Sequence, residues 1–101
     1  MLGSKLVNAM PPGAQPGNTL KTLVVMGYEL GGIQRNLIYA GVTEDPQMYD
    51  ARVGGARIEL ADLITQCRLL AEQYRWSWDS LVADGEERFR ERMRELAEGR
   101  L

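Results

Sequence analysis

Apolar residues recur at steps of three and four along three separate stretches of the chain, which is the spacing of one helix face. The first stretch predicts a helix from about Thr19 to Ala40, with Asn18 as its N-cap and Gly41 as its C-terminal stop. Its repeating positions are Leu20, Leu23, Val24, Gly27, Leu30, Gly31, Gln34, Leu37 and Ile38. The first element is therefore predicted to be a long and broadly apolar helix.

The segment that follows, residues 42–55, is predicted to be a connection. It contains Asp45-Pro46 and ends in Gly54-Gly55, and both dipeptides are typical of turns and loops. Within this connection we expect at most a short helical turn near Pro46 to Ala51.

Two more helices are predicted after this connection. The second extends from about Ala56 to Tyr74, and the third begins after Ser77, which is a candidate N-cap. The apolar positions of the second helix are Leu60, Leu63, Ile64, Cys67, Leu70, Ala71 and Tyr74. Those of the third form a narrower stripe of Trp78, Leu81, Gly85, Phe89, Met93 and Leu96. Because no stretch alternates as a strand would, the predicted fold class is all-α.

The chain divides into an arm and one domain. Residues 1–17 end in a run rich in proline and glycine, which disfavours helix and strand alike, so we interpret them as a flexible arm. Residues 18–101 form the predicted helical domain. A domain of this size buries only roughly 60–65% of the surface that its unfolded chain exposes, so a second copy would help to complete its core.

Composition excludes several classes of function. The formal net charge of −2 offers no overall attraction for nucleic acid, and no apolar run is long enough to predict a membrane helix. The single cysteine, Cys67, cannot form an internal disulfide, and the start of the chain does not resemble a secretory signal, so we expect a cytoplasmic protein. Histidine is absent, which removes the commonest general base. Chemistry would therefore depend on carboxylates, hydroxyls, Lys, Arg or a metal.

Carboxylates occur within the apolar helices, where they require an explanation. Glu59 and Asp62 are three residues apart, so they share one face of the second helix, and Glu29 interrupts the first helix. Oxygen ligands of this kind suit Mg²⁺ or Mn²⁺, which in turn suit phosphate substrates. The alternative is that the acidic pair forms salt bridges with Arg57, Arg68 or an arginine of the third helix.

The segment from Glu59 to Asp62 reads Glu-Leu-Ala-Asp, and Glu29 lies on the preceding helix. In this order and setting the chain resembles the MazG-like nucleoside triphosphate pyrophosphohydrolases. That all-α family carries Glu-Glu-x-x-Glu on one helix and Glu-x-x-Asp on the next. With Glu29 as the second glutamate, Tyr28 occupies the position of the first and Gly32 that of the third.

The resemblance implies a helical hairpin with a third amphipathic helix, and a four-helix-bundle core formed when a homodimer or homotetramer assembles. It implies hydrolysis of a nucleoside triphosphate to the monophosphate and pyrophosphate, with Mg²⁺, or alternatively Mn²⁺, as cofactor. Glu29, Glu59 and Asp62 would be the metal-binding and catalytic residues. Lys21 and Arg35 are the nearest basic candidates for contact with phosphate. A fourth oxygen ligand could come from Glu44, Asp50, Asp84 or Glu87.

Two other functions stay open at the level of sequence. One is a protein of the same fold that binds nucleotides or proteins without catalysis, which Tyr28 and Gly32 favour. The other is a plain helical oligomerisation domain. Gly32 itself has two interpretations: either it is a lost ligand that Gly32→Glu would restore, or it is a close-packing contact at which a side chain would clash.

Overall fold

The computed structural model describes residues 19–99, and within them it contains three α-helices and no strand. Helix α1 spans Thr19–Val42, α2 spans Pro46–Gln73 and α3 spans Trp78–Ala97. The predicted all-α class is confirmed. The arm at residues 1–17 and the N-cap expected at Asn18 lie outside the described residues.

The predicted connection is wrong in its length, because α2 begins at Pro46 and continues through both glycines. The side chain of Asp45 accepts a hydrogen bond from the backbone N–H of Gln47 at 3.0 Å, and Pro46 supplies the first helical φ. This cap starts the helix nine residues before Gly55. Each internal glycine costs about 1 kcal/mol of helix propensity, and the packing of α1 against Gly55 compensates part of that cost.

Helices α1 and α2 form an antiparallel hairpin. At its open end, Thr19 Oγ1 donates to Gln73 Oε1 at 2.9 Å, and Gln73 Nε2 donates to Thr22 Oγ1 at 3.2 Å. Near the connection, the Arg52 guanidinium lies 4.7 Å from the centre of the Tyr39 ring. This register places the middle of α1 opposite the middle of α2, where the acidic residues lie.

The hairpin is held by a small core of mostly small residues. Thr22, Gly32 and Ala40 of α1 and Ala56, Leu69 and Ala71 of α2 are buried. Many large apolar side chains stay exposed, such as Leu20 at 72% and Val24 at 63%. None of the helices in the described part of the chain is both long and apolar enough to cross a membrane.

Helix α2 ends in two backbone hydrogen bonds around a left-handed residue. The N–H of Trp76 donates to the carbonyl of Ala71 at 2.9 Å, and that of Arg75 donates to Glu72 at 3.2 Å. This Schellman geometry requires a positive φ at Arg75, which is 58°. Glycine normally occupies that position, so the turn between α2 and α3 stores backbone strain of about 1 kcal/mol.

Helix α3 packs little on the hairpin. The prediction that Ser77 caps it is confirmed, because Ser77 Oγ accepts from the backbone N–H of Ser80 at 3.3 Å. None of its residues is buried, and the Arg68 guanidinium of α2 covers the Trp78 ring at 5.2 Å. Its apolar stripe is therefore open, with Phe89 62% exposed.

Candidate functional site

Three carboxylates from the two hairpin helices line one groove of about 620 Å³. Glu29 comes from α1, while Glu59 and Asp62 come from successive turns of α2. The side chain of Arg35 lines the same groove. The apolar wall of the groove consists of Val24, Val25 and Tyr28. The structure thus brings Glu29 to the same groove as Glu59 and Asp62, which lie at least 30 positions later in the sequence, and places there Arg35, one of the two basic candidates.

The electrostatic environment of these carboxylates is unfavourable in the chain alone. Partial burial raises the pKa of Glu29, and the negative charges of Asp62 and Glu59 raise that pKa further. Within residues 19–99 none of the three forms an ion pair. The alternative in which Glu59 and Asp62 form salt bridges with Arg57, Arg68 or an arginine of α3 is therefore wrong for the described residues. The Arg68 guanidinium lies over the Trp78 ring instead.

A chain of polar contacts fixes Glu59 against α1. Asn36 Nδ2 donates to Glu59 Oε1 at 2.8 Å, and Arg52 donates from its guanidinium to Asn36 Oδ1 at 3.3 Å. Sequence reasoning missed Asn36 and Arg52. The available signal was that Asn36 follows Glu29 by seven residues, which places both on one face of α1.

Two glycines make room for this polar chain. The carboxylate of Glu59 occupies the space where a Cβ at Gly32 would lie, and a Cβ at Gly55 would come within 3.2 Å of Asn36 Nδ2. Gly32 is therefore a close-packing position, as the second interpretation of it expects. A glutamate placed there would have to displace Glu59 before it could add a fourth carboxylate.

Other candidates from the sequence lie away from the groove. Lys21 is exposed on α1, two turns before Glu29, and does not line it. The residues considered as sources of a fourth ligand also lie outside its lining, namely Glu44, Asp50, Asp84 and Glu87.

The side chains of the groove offer the kind of ligand atoms that a hard divalent cation prefers. All its anionic ligands are oxygens, as Mg²⁺ and Mn²⁺ prefer, and their repulsion would be relieved by a cation. Their present geometry is looser, since no three acidic or thiol side chains among residues 19–99 already form a metal-binding cluster. An ion would therefore require side-chain rotation, with retained waters completing its coordination.

Comparisons of the chain with models of known protein families, with curated proteins and with solved structures give no match. The assignment of a function therefore depends on the groove and its side chains.

Two glycines of α1 provide a matched test of the contact between Gly32 and Glu59. Gly27 has open space where its Cβ would be, so Gly27→Ala should stabilise the protein by about 1 kcal/mol through helix propensity. Gly32→Ala should lose that gain, because the new methyl group displaces the Glu59 carboxylate and breaks its bond to Asn36. Urea denaturation measures both. Equal stabilisation by the two substitutions would show that Glu59 does not lie against Gly32.

The raised pKa of Glu29 predicts a dependence of stability on pH. A carboxyl group whose pKa is higher in the folded state favours folding below its unfolded pKa, and that contribution is lost as pH rises through the folded pKa. Glu29→Gln should therefore raise the melting temperature of the metal-free protein at pH 7 and leave it nearly unchanged at pH 3. The exposed Glu44 provides the control, Glu44→Gln, for which no such difference is expected. A Glu29→Gln variant that melts below the native protein at pH 7 would contradict the repulsion.

Proposed function

We propose that the chain is a Mg²⁺-dependent nucleoside triphosphate pyrophosphohydrolase of the kind that the MazG-like motif implies, acting in the cytoplasm as a homodimer or homotetramer. The observation that carries the proposal is the groove in which Glu29, Glu59 and Asp62 meet Arg35. Carboxylates that repel one another across two helices, and that form no ion pair with Arg35 or any other cation among residues 19–99, are the arrangement expected of a site that takes up a divalent ion.

In this proposal each side chain of the groove has a role. Glu29, Glu59 and Asp62 would hold Mg²⁺, and the bound ion would supply the positive charge that stabilises the phosphate oxygens during hydrolysis. Arg35 contacts a phosphate group, because a planar guanidinium can donate two hydrogen bonds to phosphate oxygens at once. The apolar wall beside Tyr28 offers a surface for the nucleobase. The products are the nucleoside monophosphate and pyrophosphate.

A second candidate is a nucleotide-binding or protein-interaction module without catalysis. The position of Gly32 favours it, because the glycine contributes no ligand and the Glu59 carboxylate fills the space beside it. Tyr28, 77% exposed at the position of another family glutamate, is a further lost ligand. The two candidates differ in turnover, and only the nucleotide-binding form of the second shares nucleotide binding with the first.

Self-association is supported by an apolar surface on the other flank of the hairpin. Leu23, Leu30 and Leu37 recur every seven residues on α1 and are each about half exposed. Because Leu30 lies about 160° around the helix from Tyr28, this surface lies away from the groove. A second hairpin packed there would complete a four-helix bundle and leave the groove open.

Pyrophosphate release across a panel of nucleoside triphosphates, with Mg²⁺ and with Mn²⁺, tests the activity. We expect metal-dependent release that falls at least about 100-fold in Asp62→Asn, because the metal loses an anionic ligand needed for charge stabilisation. Asp50→Asn, on α2 but outside the groove, should retain the native rate. Nucleotide binding without release would favour the second candidate, and equal rates in both variants would place the activity elsewhere.

Light scattering tests the association. The native chain should have the mass of a dimer or tetramer at micromolar concentration, and Leu30→Glu should shift it towards one chain, because a buried charge opposes packing. The exposed Lys21 provides the control, since it lies nine residues from Leu30 on the opposite side of the same helix and Lys21→Gln changes the net charge by the same one unit. A native mass of one chain, with a cooperative thermal transition, would rule out the bundle.

A further inference from the structure

We propose that Asn36 is a positioning residue that orients Glu59 for metal binding, with Arg52 holding the Asn36 amide in the required direction. This inference rests on the proposed function, because it assigns Asn36 a role in the same metal site. It adds two residues that neither the MazG-like motif nor the charge pattern of the chain indicates.

The chemistry of the three side chains allows only one direction for the Asn36 amide. The Arg52 guanidinium has donors and no acceptor, whereas the ionised Glu59 carboxylate has acceptors and no donor. Asn36 lies between them, accepting from Arg52 through Oδ1 at 3.3 Å and donating to Glu59 through Nδ2 at 2.8 Å. The amide orientation, and with it the position of Glu59 Oε1, is therefore determined by Arg52.

Arg52 and Glu59, the two outer residues of this hydrogen-bonded set, are each restrained by a further contact. The Arg52 guanidinium lies over the ring of Tyr39, which restricts its motion. At the other end, the Glu59 carboxylate lies in the space left by the missing side chain of Gly32. Asn36 is half-buried and packs against Gly55. Each member of the set is thus oriented by a contact outside it.

The arrangement orients Glu59 and leaves one of its two oxygens without a hydrogen bond. Oε1 accepts the bond from Asn36, while Oε2 lies beside Gly32 and accepts no hydrogen bond from any of the described residues. Hydrogen bonds to a ligating carboxylate from its neighbours typically change metal affinity by about 10-fold to 100-fold. Without Asn36, Glu59 Oε1 would lose the hydrogen bond that directs it, and the Arg52 guanidinium would lose its acceptor on α1.

The test is Mn²⁺ binding by calorimetry, on proteins shown by circular dichroism to be folded at the working temperature. Asn36→Ala removes the amide and introduces the best helix former, so the hairpin should persist. The control is Thr22→Val, which removes one of the two hydrogen bonds between Gln73 and α1 at the far end of the hairpin and keeps the shape of the side chain. Both substitutions should lower the melting temperature, but only Asn36→Ala should weaken Mn²⁺ binding, by a factor of ten or more.

The outcomes separate this inference from the function on which it rests. Native protein that binds Mn²⁺, together with an Asn36→Ala variant that binds it equally well, would overturn the positioning role and leave the metal site intact. An equal loss in Thr22→Val would assign the effect to general destabilisation and overturn it as well. Native protein that binds no Mn²⁺ would reject the proposed function and this inference together. If Asn36→Ala fails to fold, Asn36→Ser takes its place, because its hydroxyl is too short to reach Glu59.

Discussion

The close approach of α1 and α2 is the constraint on which the rest of the structure depends. Gly32 leaves space on α1, and the Glu59 carboxylate of α2 fills it. The alanines at positions 40, 56 and 71 keep the interface thin along its length. Because the helices are this close, acidic side chains from both reach one groove, and large apolar side chains are displaced to the flanks.

The groove and the apolar flank follow from the same packing. A hairpin whose interface consists of small residues buries little apolar surface, and the stability available from burial scales with that surface. The same close approach of the helices brings Glu29 towards Asp62 and leaves the leucines of α1 exposed outside the interface. In the proposed assembly a second copy covers the leucines, while a cation relieves the repulsion among the carboxylates.

The sequence allowed prediction of the three helices and of the acidic pair on α2, because both follow from local spacing, whereas the placement of Glu29 beside that pair rested on the family resemblance. The i, i+3 relation placed Glu59 and Asp62 on one face, and Ser77 had the side chain that a helix start requires. The start of α2 was missed because Gly54-Gly55 is typical of a loop, whereas Asp45-Pro46 is the dipeptide that begins the helix. The capping of Asp45 and the contact of Gly55 with Asn36 together outweigh the glycine penalty.

The polar set around Asn36 was not predictable from local spacing. Its members lie on two helices, and the hydrogen bond from Asn36 to Glu59 depends on the register of the hairpin. That register is set by contacts at both ends, between Gln73 and Thr22 and between Arg52 and Tyr39. A sequence shows each residue but not this alignment.

The central claim is that carboxylates of both hairpin helices hold one divalent ion in the groove. Titration of the isotope-labelled protein with substoichiometric Mn²⁺ tests it directly, since the paramagnetic ion broadens the resonances of nearby nuclei. The account predicts early broadening of amides around Glu29, Glu59 and Asp62, with those of α3 retained. Broadening confined to the acidic positions of α3, or none at all, would contradict it.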